Sequence, residues 1–196
     1  MSNLSKRKLL FAFLATFVRT LSSLSDKSLV MKHWKSIELM RRETSLPKAP
    51  IDTMGAVSLT SMNGAEPGSR QWRFQALLAT MLSPQTKDKQ THAAFTNLAK
   101  LVAPEPLTAA ALAAKSIEDI TDACRPASFY ATKARNIKEA AKACKEQHNN
   151  DIPSEITDLF KLKGIGPKVG YLTFSIAWGR TEGICVDTHV HRYSNI

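Results

Sequence analysis

The chain has 196 residues, 43% apolar and 22% charged. That is enough for one domain with an appendage or two small lobes, and it excludes a disulfide-stapled miniprotein, a weakly hydrophobic disordered chain and a membrane protein. Lysine plus arginine outnumber aspartate plus glutamate by 27 to 17, a net charge of +10, which favours a polyanionic partner, nucleic acid first among them.

The excess is uneven: ten basic and three acidic side chains fall in residues 1–50, leaving 17 and 14 for the rest. Near the start, Lys6-Arg7-Lys8 precedes the apolar stretch Leu9 to Val18, with no acid before Asp26. Ten residues are too few to span a bilayer. A basic, serine-bearing, acid-free segment reads as a mitochondrial presequence; a secretory signal and an untargeted terminus are the other readings of residues 1–30. Free cysteines weigh against secretion. Cys124, Cys144 and Cys185 form no Cys-x-x-Cys pair, so neither a disulfide framework nor a thiolate metal site is legible.

Residues 31–43 place Met31, Trp34, Ile37 and Met40 on one helical stripe, predicting a surface helix that docks on the body. Residues 46–70 carry Pro47, Pro50, Gly55, Asn63-Gly64 and Pro67-Gly68 and predict an extended connector. From Trp72 onward the apolar spacing is helical. Trp72, Phe74, Leu77, Leu78, Met81 and Leu82 make one face, and Phe95, Leu98 and Val102 a second. Short helices are expected at Leu107 to Ala114 and, capped by Ser116, at Ile117 to Cys124, then a longer one at Ala131 to Gln147. No strand-period run competes, so the fold class is all-α.

A helix from about Ser154 to Leu162 is predicted to end at Lys163-Gly164-Ile165-Gly166, with Pro167 opening another helix that ends near Trp178-Gly179. Glycines at the turn allow a sharp reversal and a close backbone approach, and the next helix presents free N–H groups and a positive dipole end. Such a hairpin suits a phosphate, helped by Lys161 and Lys163; the alternative is a purely structural αα turn. Lys168, in the first turn, stands against the dipole. A neutral lysine amine there is a nucleophile and can form a Schiff base, and the other reading is a solvated lysine on a phosphate. Nineteen residues on, Asp187 either caps a following helix or supplies a carboxylate that stabilises positive charge on a sugar ring. His189 and His191 alternate as metal ligands on a strand would, without a third ligand.

The stretch Leu162 to Lys168, with Ala177-Trp178-Gly179 and Gly183 to Arg192, resembles the endonuclease III family in its eukaryotic form. Met81 to Asp88, with Leu82-Ser83-Pro84-Gln85-Thr86-Lys87-Asp88, is similar to that family's Leu-Ser-x-Gln-Thr-x-Asp segment, and Phe129-Tyr130, Lys133-Ala134 and Ile137 to its Tyr-x-x-Lys-Ala-x-x-Ile segment. The likeness runs from about Trp34 to Asn195. It implies a helix-hairpin-helix DNA glycosylase fold. The expected layout is an N-terminal helix and connector over 31–70, a six-helix barrel over 71–180 with the hairpin at about 154–179, and the start of a C-terminal part over 181–196, the second lobe being incomplete.

The implied activity is removal of oxidised pyrimidines in base excision repair by a bifunctional N-glycosylase and apurinic/apyrimidinic lyase. The implied partner is double-stranded DNA with a damaged base or abasic site, bound by a monomer in nucleus and mitochondrion, with no membrane. The resemblance implies that Lys168 attacks C1′ and that Asp187 is the catalytic carboxylate. Gln85 would fill the gap of the flipped nucleotide, His189 line the lesion pocket and Gly164 to Gly166 hold the phosphate; Lys163 adds a charge and apolar Ile165 a groove wedge. Two departures are Lys163, where the family has proline, and Ser128, where it has glycine. The family continues beyond the position of Ile196 into four cysteines that bind a [4Fe–4S] cluster; Cys124, Cys144 and Cys185 match none of them, so no cluster is expected in this chain. A catalytically impaired, truncated DNA-binding form is the alternative function.

Overall fold

The structure, a computed structural model, describes residues 27–42, 53–62 and 64–194. The targeting reading of residues 1–26, most of the first half of the predicted connector, and Asn195 lie outside the described residues. The described helices are α1 (Lys27–Arg42), α2 (Ala56–Ser61), α3 (Arg70–Leu82), α4 (Asp88–Val102), α5 (Ala109–Ala114), α6 (Ile117–Cys124), α7 (Tyr130–Gln147), α8 (Ile156–Leu159), α9 (Pro167–Trp178) and α10 (Thr188–Ser194). No strand occurs among the described residues, as the helical spacing led us to expect.

The chain divides into two compact units. Residues 48–185 make the larger one, with α2 to α9; the smaller combines residues 1–47 and 186–196, with α1 and α10.

In the larger unit α3 is the central helix. The sequence suggested a single apolar face, but every residue from Phe74 to Leu82 is buried, including Gln75 and Thr80. A helix that is apolar nearly all round is one surrounded by others; α3 packs against α2, α4, α7 and α9. Ser69 starts it, its hydroxyl accepting the Trp72 N–H at 3.1 Å. Phe74, Leu77, Leu78, Phe95, Leu98, Ile120, Ile137 and Phe174 are fully buried in one cluster, each such side chain contributing about 1.5–3 kcal/mol over its exposed state.

Two expectations need correction. Residues 56–61 are helical rather than extended, because Leu59 and Thr60 are drawn into the core against α3 and that burial outweighs the surrounding glycine and proline signals. The helix before the hairpin is one turn, Ile156–Leu159, continuing as turns to Gly164, since only Leu159 of it is fully buried. The N-terminal helix starts at Lys27, four residues before the expected Met31, and the other helix boundaries fall within a residue or two of expectation. Thr108 and Ser116 cap α5 and α6 by accepting the N–H groups of Ala111 and Asp119.

Candidate active site

The hairpin between α8 and α9 is built by one glycine in the left-handed region. Gly164 has φ +82°, and a Cβ placed there would lie 2.3 Å from Asn136 Nδ2 on α7, so both backbone and packing require glycine. Gly166 differs: it is the extended N-cap of α9 at φ −96°, with no heavy atom within 4 Å of a Cβ. Its space is open toward solvent, where a ligand backbone could approach. Pro167 occupies the first helical position and Gly179, at φ +65°, ends the helix, the punctuation expected.

Ile165 corrects the sequence reading. Its side chain is 7% exposed and belongs to the core cluster, while its N–H donates to Leu162 O at 3.2 Å. An apolar residue at the turn lowers the free energy by packing inward, so Ile165 anchors the hairpin and is no groove wedge. Lys163 is exposed, with Nζ 3.3 Å from Glu139 on α7.

Helix α9 is locked onto the core on its other side. A Cβ on Gly170 would meet the Phe160 ring at 2.3 Å, so the α8–α9 turn closes directly over that glycine. Thr173 Oγ1 lies 2.6 Å from Thr80 Oγ1 of α3, both buried. This fixes the first turn of α9, and with it half-buried Lys168, whose Nζ lies 3.3 Å from Ser83 Oγ. Among the described residues of its unit, no carboxylate pairs with Lys168. Its amine therefore meets a neutral hydroxyl at the end of α3, beside the N-terminal N–H groups of α9, to which Pro167 contributes none.

Ser83 begins the turn that carries Gln85, which is exposed at φ +53°. Ser128 N–H donates to Thr86 Oγ1 at 3.2 Å, tying the Gln85 turn to the start of α7. There Phe129 stands 67% exposed at φ +56°, next to half-exposed Tyr130, over whose ring Arg125 lies at 5.9 Å. Sequence reasoning used Phe129 only as a motif match; its sign was an aromatic residue immediately before a helix with no cap of its own. Lys133, also treated as a motif match, is buried beneath this turn.

In the smaller unit Asp187 caps α10: its carboxylate accepts the Val190 N–H at 2.7 Å and its carbonyl the His191 N–H at 2.9 Å. His189 is exposed. Because residues 188–194 are helical, His189 and His191 point to different sides and do not act as the alternating ligands of a strand.

Among the described residues no group of three or more His, Cys, Asp or Glu side chains is placed to hold a metal ion. An iron–sulfur cluster needs converging thiolates. Cys124 on α6 and Cys144 on α7 are buried and belong to no such group, and burial pushes both thiols up to about 12. No described helix is long and apolar enough to cross a membrane.

Residues 78–196 match the HhH-GPD superfamily base excision DNA repair protein family. The chain is 37% identical over 179 residues to Endonuclease III homolog 1, chloroplastic, of Arabidopsis thaliana, covering 90% of this chain and 45% of that protein. It is 35% identical to Endonuclease III-like protein 1 of Gallus gallus, covering 84% and 56%. The chain thus spans about half the length of the curated relatives it matches. Among solved structures, a trapped endonuclease III–DNA covalent intermediate superposes with TM-score 0.57 at 26% identity, over 76% of this chain and 68% of that one. A thermostable thymine-DNA glycosylase, at TM-score 0.55 and 13% identity over 100% and 74%, shares the fold.

Proposed function

The chain belongs to the endonuclease III family within the HhH-GPD superfamily of base excision DNA repair proteins, and from that premise we propose that it acts on damaged duplex DNA as an N-glycosylase and abasic-site lyase. The observation that carries this reading is Lys168: a half-buried amine in the first turn of α9, directly after the glycine hairpin, opposed by the Ser83 hydroxyl and by no carboxylate of its own unit.

The chemistry follows from that amine. Unprotonated, it attacks C1′ of an extruded nucleotide. The C1′–N bond breaks, and the base leaves with the bonding pair and takes up a proton. Loss of the amine proton and opening of the sugar give a Schiff base. Removal of a 2′ proton then expels the 3′ phosphate, nicking the strand by β-elimination. Positive charge builds on the sugar as the base departs, and a carboxylate stabilises it; Asp187 is assigned that role by its place in the family segment.

The remaining residues grip the duplex. Open space at Gly166 and the free N–H groups of α9 suit a phosphate, with Lys163 as a nearby charge. Gln85, exposed on a strained turn, fills the gap of the extruded nucleotide, and His189 lines the lesion pocket. Exposed Phe129, beside the same turn, replaces Ile165 as the apolar group able to enter a base stack. Oxidised pyrimidines are the substrates assigned, a monomer the acting form, and nucleus and mitochondrion the compartments, the last on the basic, acid-free start of the chain.

Borohydride trapping on a duplex with an abasic site tests the reading. A covalent adduct with the wild-type chain, absent in Lys168→Ala, is expected. Salt-sensitive binding of the same duplex without an adduct would leave the impaired DNA-binding form in its place.

A further inference from the structure

Lys133 is 8% exposed and has no carboxylate partner among the described residues. Its Nζ instead donates to Leu82 O at 2.6 Å, Pro84 O at 2.8 Å and Thr86 Oγ1 at 2.7 Å. An ammonium has three hydrogens to give, and here all three are used. The acceptors bracket Gln85 on both sides and include the Leu82 carbonyl at the end of α3, which has no intrahelical partner and favours a cation.

Gln85 needs such support. At φ +53° it occupies a region that costs a non-glycine residue about 1–3 kcal/mol and persists only where its surroundings over-determine it. The turn's own bonds are few: Thr86 N–H to Ser83 O at 3.1 Å, and Thr86 Oγ1 to Pro84 O at 3.2 Å. A methionine would fill the site at α7 without a buried charge, and burying an ammonium costs free energy unless it is fully hydrogen-bonded. Desolvation pushes the Lys133 ammonium down to about 8, with Lys168 on α9 acting in the same direction and Cys124 on α6 against it. A cation kept there at that cost has a task that an apolar side chain cannot perform.

We propose that Lys133 is a positioning residue for the turn 83–86, holding Gln85 in the conformation in which it occupies the gap left by an extruded nucleotide. It touches no substrate itself and acts through the turn. The same turn carries Ser83, so its order also sets the hydroxyl that faces Lys168. This inference rests on the glycosylase reading.

The test compares binding of the full chain to a duplex with a tetrahydrofuran abasic analogue and to the intact duplex, a ratio that needs no turnover. Lys133→Met should lower the preference for the abasic analogue about tenfold, while affinity for intact duplex changes little. Gln85→Ala should lose the preference to a similar extent, and the double variant should be no worse than either, the signature of two residues acting as one. Thr86→Val, which keeps the ammonium but removes one of its acceptors together with the hydroxyl's bonds to Ser128 N–H and Pro84 O, should lose preference in the same direction and serves if Lys133→Met does not fold. Preference retained in both Lys133→Met and Thr86→Val, or losses that multiply in the double variant, overturns the proposal alone. A wild-type chain with no preference overturns it together with the glycosylase reading.

Discussion

The Lys163 ammonium lies 3.3 Å from the Glu139 carboxylate, so the cation at the tip of the hairpin is joined to α7. Both side chains are more than half exposed, and such a pair contributes about 0–1 kcal/mol to stability. In the proposed DNA-binding reading the same carboxylate would repel a phosphate brought to the hairpin. Glu139→Gln should therefore tighten duplex binding a few-fold with little change in melting temperature. Lys163→Ala should weaken binding to all sequences alike and reduce the salt slope by about 1. Fluorescence anisotropy across a salt series reads both; unchanged affinity in Glu139→Gln would remove the hairpin from the phosphate-binding surface.

The two hairpin glycines should respond in opposite ways. Gly164→Ala meets both a left-handed backbone and Asn136, and a loss of about 1–3 kcal/mol is expected. Gly166→Ala meets nothing within 4 Å at an ordinary φ, so thermal unfolding should match the wild type within about 0.5 kcal/mol. If a phosphate approaches Gly166 closely, this stable variant should nevertheless bind DNA more weakly. Equal affinity would place the phosphate elsewhere.

Much of the fold was legible because its signals are local. The Ser116 cap, Pro167 and Gly179 fix helix ends by hydrogen bonds and dihedrals within a few residues. What escaped was set by distant contacts. Helix Ala56–Ser61 forms because Leu59 reaches the core, and Ile165 turns inward because the space beneath the hairpin is apolar; neither follows from neighbours in sequence. Within the site, Lys168, Gln85 and the glycines stood out by residue type and spacing. Lys133 did not, since a lysine on an alanine-rich helix reads as solvated until its three acceptors, 47 to 51 residues away, are seen.

Alkaline stability should depend on three buried groups with opposing signs. Lys133 is pushed down from 10.5 to about 8. Between those values the unfolded chain holds the extra proton, so stability rises with pH from about 8. Cys124 and Cys144 are pushed up from 9.0 to about 12; above 9.0 the unfolded thiols ionise while the folded ones do not, and stability falls. Urea unfolding between pH 7 and 11 should show a shallow rise followed by a decline, and Lys133→Met should abolish the rise. Both thiols should also resist alkylation in the folded chain at pH 8 and react once it is unfolded. Rapid labelling of either in the native state would contradict their burial.

Phe129 offers a separation of stability from function. It is exposed and held at φ +56° as the N-cap of α7, with no side-chain capping bond. Glycine adopts that backbone without strain, so Phe129→Gly should keep the melting temperature or raise it, by an amount equivalent to about 0.5–1 kcal/mol. Phe129 is 67% exposed, so its ring is open to a partner such as the proposed duplex. The same variant should therefore bind duplex carrying an abasic analogue several-fold more weakly, because the partial unstacking beside the gap loses its apolar wedge. Phe129→Leu, which keeps an apolar side chain, should retain most of that affinity. A Phe129→Gly chain that is less stable yet binds the abasic duplex as well as the wild type would show that the ring serves α7 and not DNA.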